Sequence, residues 1–77
     1  MIKYMLMRIG RMKDRKTIYF DLWNPALKKN VEIHYSCYCR KYSLEKIDIV
    51  FDNIRRKTTL ISINEIDELM ERCVIND

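Results

Sequence analysis

Residues 31–40 read VEIHYSCYCR, the longest run of strict two-residue alternation in the chain. Successive strand side chains point to opposite faces, so Val31, Ile33, Tyr35, Cys37 and Cys39 share one face while Glu32, His34, Ser36, Tyr38 and Arg40 share the other. The first set has the composition of a core and the second that of a working surface. A single strand buries nothing by itself, so the flanking sequence must supply its sheet.

Upstream, residues 17–23 (TIYFDLW) repeat the pattern, with Ile18, Phe20 and Leu22 in phase against Thr17, Tyr19, Asp21 and Trp23. Asn24-Pro25 forces a turn between the two strands, and residues 26–30 have room for one helical turn. Residues 2–9 (IKYMLMRI) are rich in strand formers but apolar on both faces. If Met5, Met7 and Ile9 are the buried set, Tyr4 and Arg8 join the opposite surface. Gly10 then opens a polar loop, RMKDRK, and the three strands form an antiparallel meander.

Downstream the period changes. Leu44, Ile47, Val50, Phe51 and Ile54 fall on one arc of about 120° at 100° per residue, with Ser43 as N-cap and Arg55-Arg56-Lys57 at the C-terminal end. Residues 44–56 therefore read as a helix. A hairpin competes with this reading, because Ile47, Ile49 and Phe51 also alternate and Asp52-Asn53 is a turn signal. Residues 58–63 (TTLISI) read as a strand, and Asn64 caps a final helix whose buried stripe is Ile66, Leu69, Met70 and Cys73. The predicted fold is a single α+β domain over residues 1–77, in the order βββαβα. Its alternative is a five-stranded sheet with a C-terminal helix.

Composition narrows the function. Seventy-seven residues leave little room for a deep active site, and a lone glycine excludes both a P-loop and a dinucleotide fingerprint. No apolar run is long enough to span a bilayer, residues 1–16 lack a signal-peptide core, and three cysteines suit a reducing compartment. These features predict a soluble cytoplasmic protein. Residues 1–41 carry ten Lys/Arg against Asp14, Asp21 and Glu32, a balance of +7, whereas residues 64–77 carry −4. The basic character belongs to the N-terminal half.

Topology gathers that charge. In a meander the loop with Arg11, Lys13, Arg15 and Lys16 lies at the end to which the third strand delivers Arg40 and Lys41, with Arg8 just inside it. Such a potential attracts phosphate or an acidic protein surface. On the face opposite the core, Tyr19, Trp23, His34 and Tyr38 interleave with these cations, and rings between cations are what single-stranded nucleic acid requires. The candidate nucleic-acid-binding residues are accordingly Arg8, Arg11, Lys13, Arg15, Lys16, His34, Tyr38, Arg40 and Lys41. A second helix lying across that face would instead make the rings a second core.

Cys37, Cys39, Cys73 and His34 invite a zinc site, but His34 points away from both Cys37 and Cys39 on the same strand. The cysteines read as small core residues, and neither a metal nor another cofactor is expected. The leading function is a small non-enzymatic module that docks single-stranded RNA or DNA. Its rival is a compact protein-binding inhibitor or adaptor of the kind phages and mobile elements encode. A metal-independent ribonuclease, with His34 as base and Tyr38 and Arg40 on phosphate, is the third reading.

Overall fold

The computed structural model describes residues 2–14, 16–56 and 60–75. Three strands, β1 (Met5–Arg11), β2 (Thr17–Asn24) and β3 (Lys29–Ser36), precede two helices, α1 (Leu44–Arg56) and α2 (Ile63–Glu71). The strands form an antiparallel sheet in the order β1-β2-β3, so the fold is α+β and runs βββαα.

β2 divides the molecule into two sides. Ile18, Phe20 and Leu22 are almost wholly shielded from solvent, while Thr17, Tyr19, Asp21 and Trp23 between them are only half-buried. Both helices pack on the first side. Ile47, Phe51 and Ile54 of α1, with Ile66 and Met70 of α2 and Cys73 beyond it, join the three β2 residues in one core. Phe20 is its hub, meeting Tyr35 and Phe51 edge-on at 5.8 and 6.1 Å between ring centroids. The second-core expectation for Tyr19 and Trp23 is therefore wrong: a helix is amphipathic, and both apolar stripes are used on the same side.

Strand β1 departs from simple alternation. Its pairing runs Leu6↔Leu22 and then Arg8↔Asp21, which leaves Met7 in a bulge. The extra residue shifts the phase, so that Tyr4, Leu6 and Ile9 all turn toward the core while Met5 and Met7 are exposed. This reverses the expectation that Met5 and Met7 are buried and Tyr4 displayed. Gly10 also lies within the strand rather than opening the loop.

Strand β3 starts at Lys29 and ends at Ser36, earlier than expected. The Cys37 N–H donates to Lys16 O (2.6 Å), and the Cys39 and Arg40 amides fold back onto Ser36 O. Residues 37–40 are thus a turn, in which Cys37 is half-buried against the core as expected, while Cys39 is exposed instead of facing it. Asn24 is buried, and its Oδ1 accepts from the Ala26 and Leu27 amides, so an Asx turn replaces the helical turn expected after Pro25.

Helix α1 has the expected bounds, with Ser43 Oγ accepting from the Lys46 amide (3.3 Å), although Leu44 is exposed along with Ile49. Of the strand expected at 58–63, Thr58 and Thr59 lie outside the described residues. The rest reduces to one antiparallel bridge, Tyr4↔Ile61, because Ser62 already begins α2. Ser62, not Asn64, is the cap. Its Oγ accepts from the Glu65 amide and donates to the Glu65 carboxylate, a pairing of N-cap and N3 residues that Asn64 cannot make. A second bridge, Tyr42↔Val74, ties the chain after α2 to the segment before α1.

Candidate nucleic-acid interface

The register across the open side of the sheet sets the site. Met5, Trp23 and Asn30 form one cross-strand row; Arg8, Asp21 and Glu32 the next; Gly10, Tyr19 and His34 the third. The basic loop follows immediately, since β1 ends at Arg11 and β2 begins at Thr17. Asp14 organises that loop. One carboxylate oxygen accepts from the Lys16 and Thr17 amides (2.9 and 3.1 Å), and the other accepts from the Thr17 hydroxyl (3.1 Å). Donation from the Lys16 amide in particular holds the Asp14 pKa below its ordinary value.

Gly10 supplies a local device. A Cβ built there would sit 3.3–3.5 Å from Oη, Cε1 and Cζ of Tyr19, so the ring lies against the bare glycine backbone. Covering a strand glycine with a cross-strand aromatic fixes the ring without burying it. Tyr19 lines an open depression of about 540 Å³ together with Arg8, Arg11, Lys13, Asp21 and Glu32.

The charges around the depression differ in how firmly they are held. Arg8 is 75% exposed and approaches Asp21 only to 3.6 Å. Arg11 reaches Asp48 of α1 at 3.1 Å. His34 Nε2 lies 2.6 Å from Glu32 Oε1 on the same strand. Among the described residues, Lys13 and Lys16 have no ion-pair partner. Of these cations, Arg8, Arg11 and Lys13 line the depression with Tyr19, Arg11 from the strand position opposite Ile18, where it turns toward α1.

The remaining candidates are placed less favourably. Arg40 makes two hydrogen bonds to Glu71 of α2 (2.8 and 2.9 Å), which raise the guanidinium pKa and lower that of the carboxylate. That pairing draws it toward the helix layer. Tyr38 sits in the turn after β3 and is 74% exposed, with no ring packed on it among the described residues. The Lys41 carbonyl accepts from the Ile75 amide (2.9 Å). Arg15 lies outside the described residues.

Sequence reasoning assigned no role to Asp21 and Glu32, which are cross-strand partners at the centre of the face. Their phase with Tyr19 and His34 was the available signal. The cysteines and His34 are spread apart: Cys73 is in the core, Cys37 and Cys39 are in a turn, and His34 is on the open face. No three metal-ligating side chains converge among the described residues, and no helix there is long and apolar enough to cross a membrane. No protein-family model, curated protein or solved structure matches the chain.

Proposed function

We propose that this chain is a small non-enzymatic module that docks single-stranded RNA or DNA, seating one base against Tyr19 while the phosphates run along the β1–β2 loop. The observation that carries the reading is the Tyr19 ring, held against Gly10 and bordered by Arg8, Arg11 and Lys13 in an open depression. A ring already fixed loses little freedom on stacking, and such stacking is worth about 1–3 kcal/mol per base. The lightly held Arg8, with Lys13 and Lys16, supplies cations at low cost.

The two carboxylates of the depression refine the ligand. Asp21 and Glu32 can only accept hydrogen bonds when ionised, so they favour bases with exocyclic amino donors and repel the carbonyl oxygens of uracil and thymine. The test is fluorescence anisotropy with short oligo(C), oligo(A) and oligo(U), in ribose and deoxyribose forms, over a salt series. Oligo(C) and oligo(A) should bind more tightly than oligo(U), with log K falling by about 0.7 per phosphate engaged for each unit of log salt. Absence of binding at low salt removes the reading and advances the protein-binding inhibitor or adaptor, with an acidic partner surface meeting the same cations.

One observation favours the ribonuclease as a second reading. Glu32 and His34 form a hydrogen-bonded carboxylate–imidazole pair beside the depression, which is a competent general base for a 2′-hydroxyl. An acid on the far side of the phosphate is also needed, and the chain has no second histidine to supply it. Intact oligo(C) after long incubation with purified protein is the expected result. Cleavage that disappears in His34→Ala would reinstate the enzyme.

A further inference from the structure

We infer that β3 pairs with β3 of a second copy of this chain, making an antiparallel dimer with one continuous six-stranded sheet. The inference concerns the sheet edge and does not depend on what the open face binds.

The two edges of the sheet are treated differently. β1 is bulged at Met7, bridged by Ile61 through Tyr4, and reached by the Arg55 guanidinium, which donates to Ile9 O (3.4 Å). Bulging and covering are the usual ways to blunt an edge. β3 has neither among the described residues. Its register with β2 is unbroken from Thr17↔Ser36 to Asn24↔Lys29. Among the described residues, nothing but β2 hydrogen-bonds the backbone of residues 30–35. The helix layer covers this edge only in part, reaching it where the Tyr35 hydroxyl donates to Asp67 of α2. Val31, Ile33 and Tyr35 are half-buried, although their β2 partners Leu22, Phe20 and Ile18 are buried. A straight edge with unused N–H and C=O groups and half-covered apolar side chains is a template for another strand.

Side-chain chemistry selects both the occupant and the register. Paired residues share a face, so extending the sheet with both cores on one side requires Val31, Ile33 and Tyr35 to meet each other across the junction. Centring the pair on Glu32 opposes like carboxylates, and centring it on His34 opposes two imidazoles. Centring it on Ile33 sets Glu32 of each copy opposite His34 of the other, with Val31 opposite Tyr35 and Ile33 opposite itself. That register sets a carboxylate acceptor against an imidazole N–H on the open side and is apolar on the core side, which is what a two-fold interface between identical strands needs.

The experiment is light scattering on full-length protein, raised to the high-micromolar range, with Glu32→Lys and with the exchange Glu32→Lys plus His34→Glu. Wild type should run at twice the chain mass of 9.5 kDa. Glu32→Lys, which removes the acceptor opposite His34, should dissociate it at least tenfold more readily, and the exchanged pair, which sets the new ammonium opposite the new carboxylate, should restore the dimer. Both positions are exposed, and circular dichroism verifies that the variants fold. Amide exchange supplies an independent readout: outward-facing β3 amides should gain protection with protein concentration. A monomeric wild type, a dimer indifferent to Glu32→Lys, or an exchange that fails to restore it overturns the inference.

Discussion

Substituting alternate residues of β2 reads the two sides of the molecule directly. Phe20 is completely buried and meets Tyr35 and Phe51 edge-on. Leucine there removes part of the buried surface, about 1 kcal/mol, and two aromatic pairs worth about 0.5–1.5 kcal/mol each, so Phe20→Leu should cost about 2–4 kcal/mol. Leu22→Ala should cost about 2–5 kcal/mol, because the closed core cannot fill the void. Against a total stability of about 4–12 kcal/mol for a chain this size, each is a large fraction. Trp23→Ala and Tyr19→Ala, half-exposed on the open side, should cost about 1 kcal/mol or less, chiefly in cross-strand packing. Urea unfolding at constant m-value measures all four. A double-mutant cycle between Phe20→Leu and Phe51→Leu should leave about 0.5–1.5 kcal/mol of coupling. If Trp23→Ala or Tyr19→Ala proved as costly as Leu22→Ala, the open face would be a second core and the reasoning would fail.

Cys39 should react with a thiol reagent in the native state, while Cys73, buried, with its pKa pushed up by burial, should react only on unfolding; Cys73→Ala should cost about 1–2 kcal/mol, and Cys39→Ala nothing measurable. Ser62→Ala should lose about 0.5–2 kcal/mol of stability through the α2 cap, whereas Asn64→Ala, exposed and not the cap, should lose almost none. Stability should fall at both extremes of pH. Asp14, Glu65 and Glu71 have pKa values lowered by the Lys16 amide, Lys3 and Arg40, so their contribution is complete above the ordinary carboxylate range and is lost as pH drops through the lowered values. Tyr35, raised by burial and by its hydrogen bond to Asp67, and Tyr42, raised by burial, stabilise fully below the ordinary phenol pKa near 10 and lose that contribution as pH rises through their raised values. Thermal melts from acid to strongly alkaline pH check both limbs, and a flat profile on either side contradicts the corresponding partners.

The parts of this fold that were legible are those governed by local chemistry. Both ends of α1 could be read because Ser43, the apolar arc and the terminal arginines agree. The cap of α2 is misassigned to Asn64 by the sequence reading: Ser62 is an equally good capping residue two positions earlier, and Glu65 is placed to answer it. The β1 bulge left no mark on the sequence. A run in which nearly every residue is apolar fits either phase, and only pairing with β2 makes Arg8, rather than Met7, face Asp21. The same limit applies to the site. Alternation put Tyr19 and His34 on one face, but the settling of Tyr19 onto Gly10 depends on cross-strand register. The pairing of Arg11 with Asp48 and of Arg40 with Glu71 joins residues 37 and 31 positions apart, so the basic end looked more uniformly available from the sequence than it is.

The most direct measurement of the central claim compares two charge reversals at opposite ends of the sheet. Lys13 and Lys16 stand on the β1–β2 loop, Lys13 lining the depression with Tyr19, and Lys28 and Lys29 stand at the β2–β3 turn. Both double reversals to Glu change the net charge equally, so a general electrostatic effect cannot separate them. Titrated by anisotropy against oligo(C), Lys13→Glu with Lys16→Glu should abolish binding or flatten the salt slope by about 0.7 for each phosphate no longer engaged, while Lys28→Glu with Lys29→Glu should leave both nearly unchanged. Equal weakening by the two reversals, or no binding by the wild type at low salt, would contradict the assignment of the site.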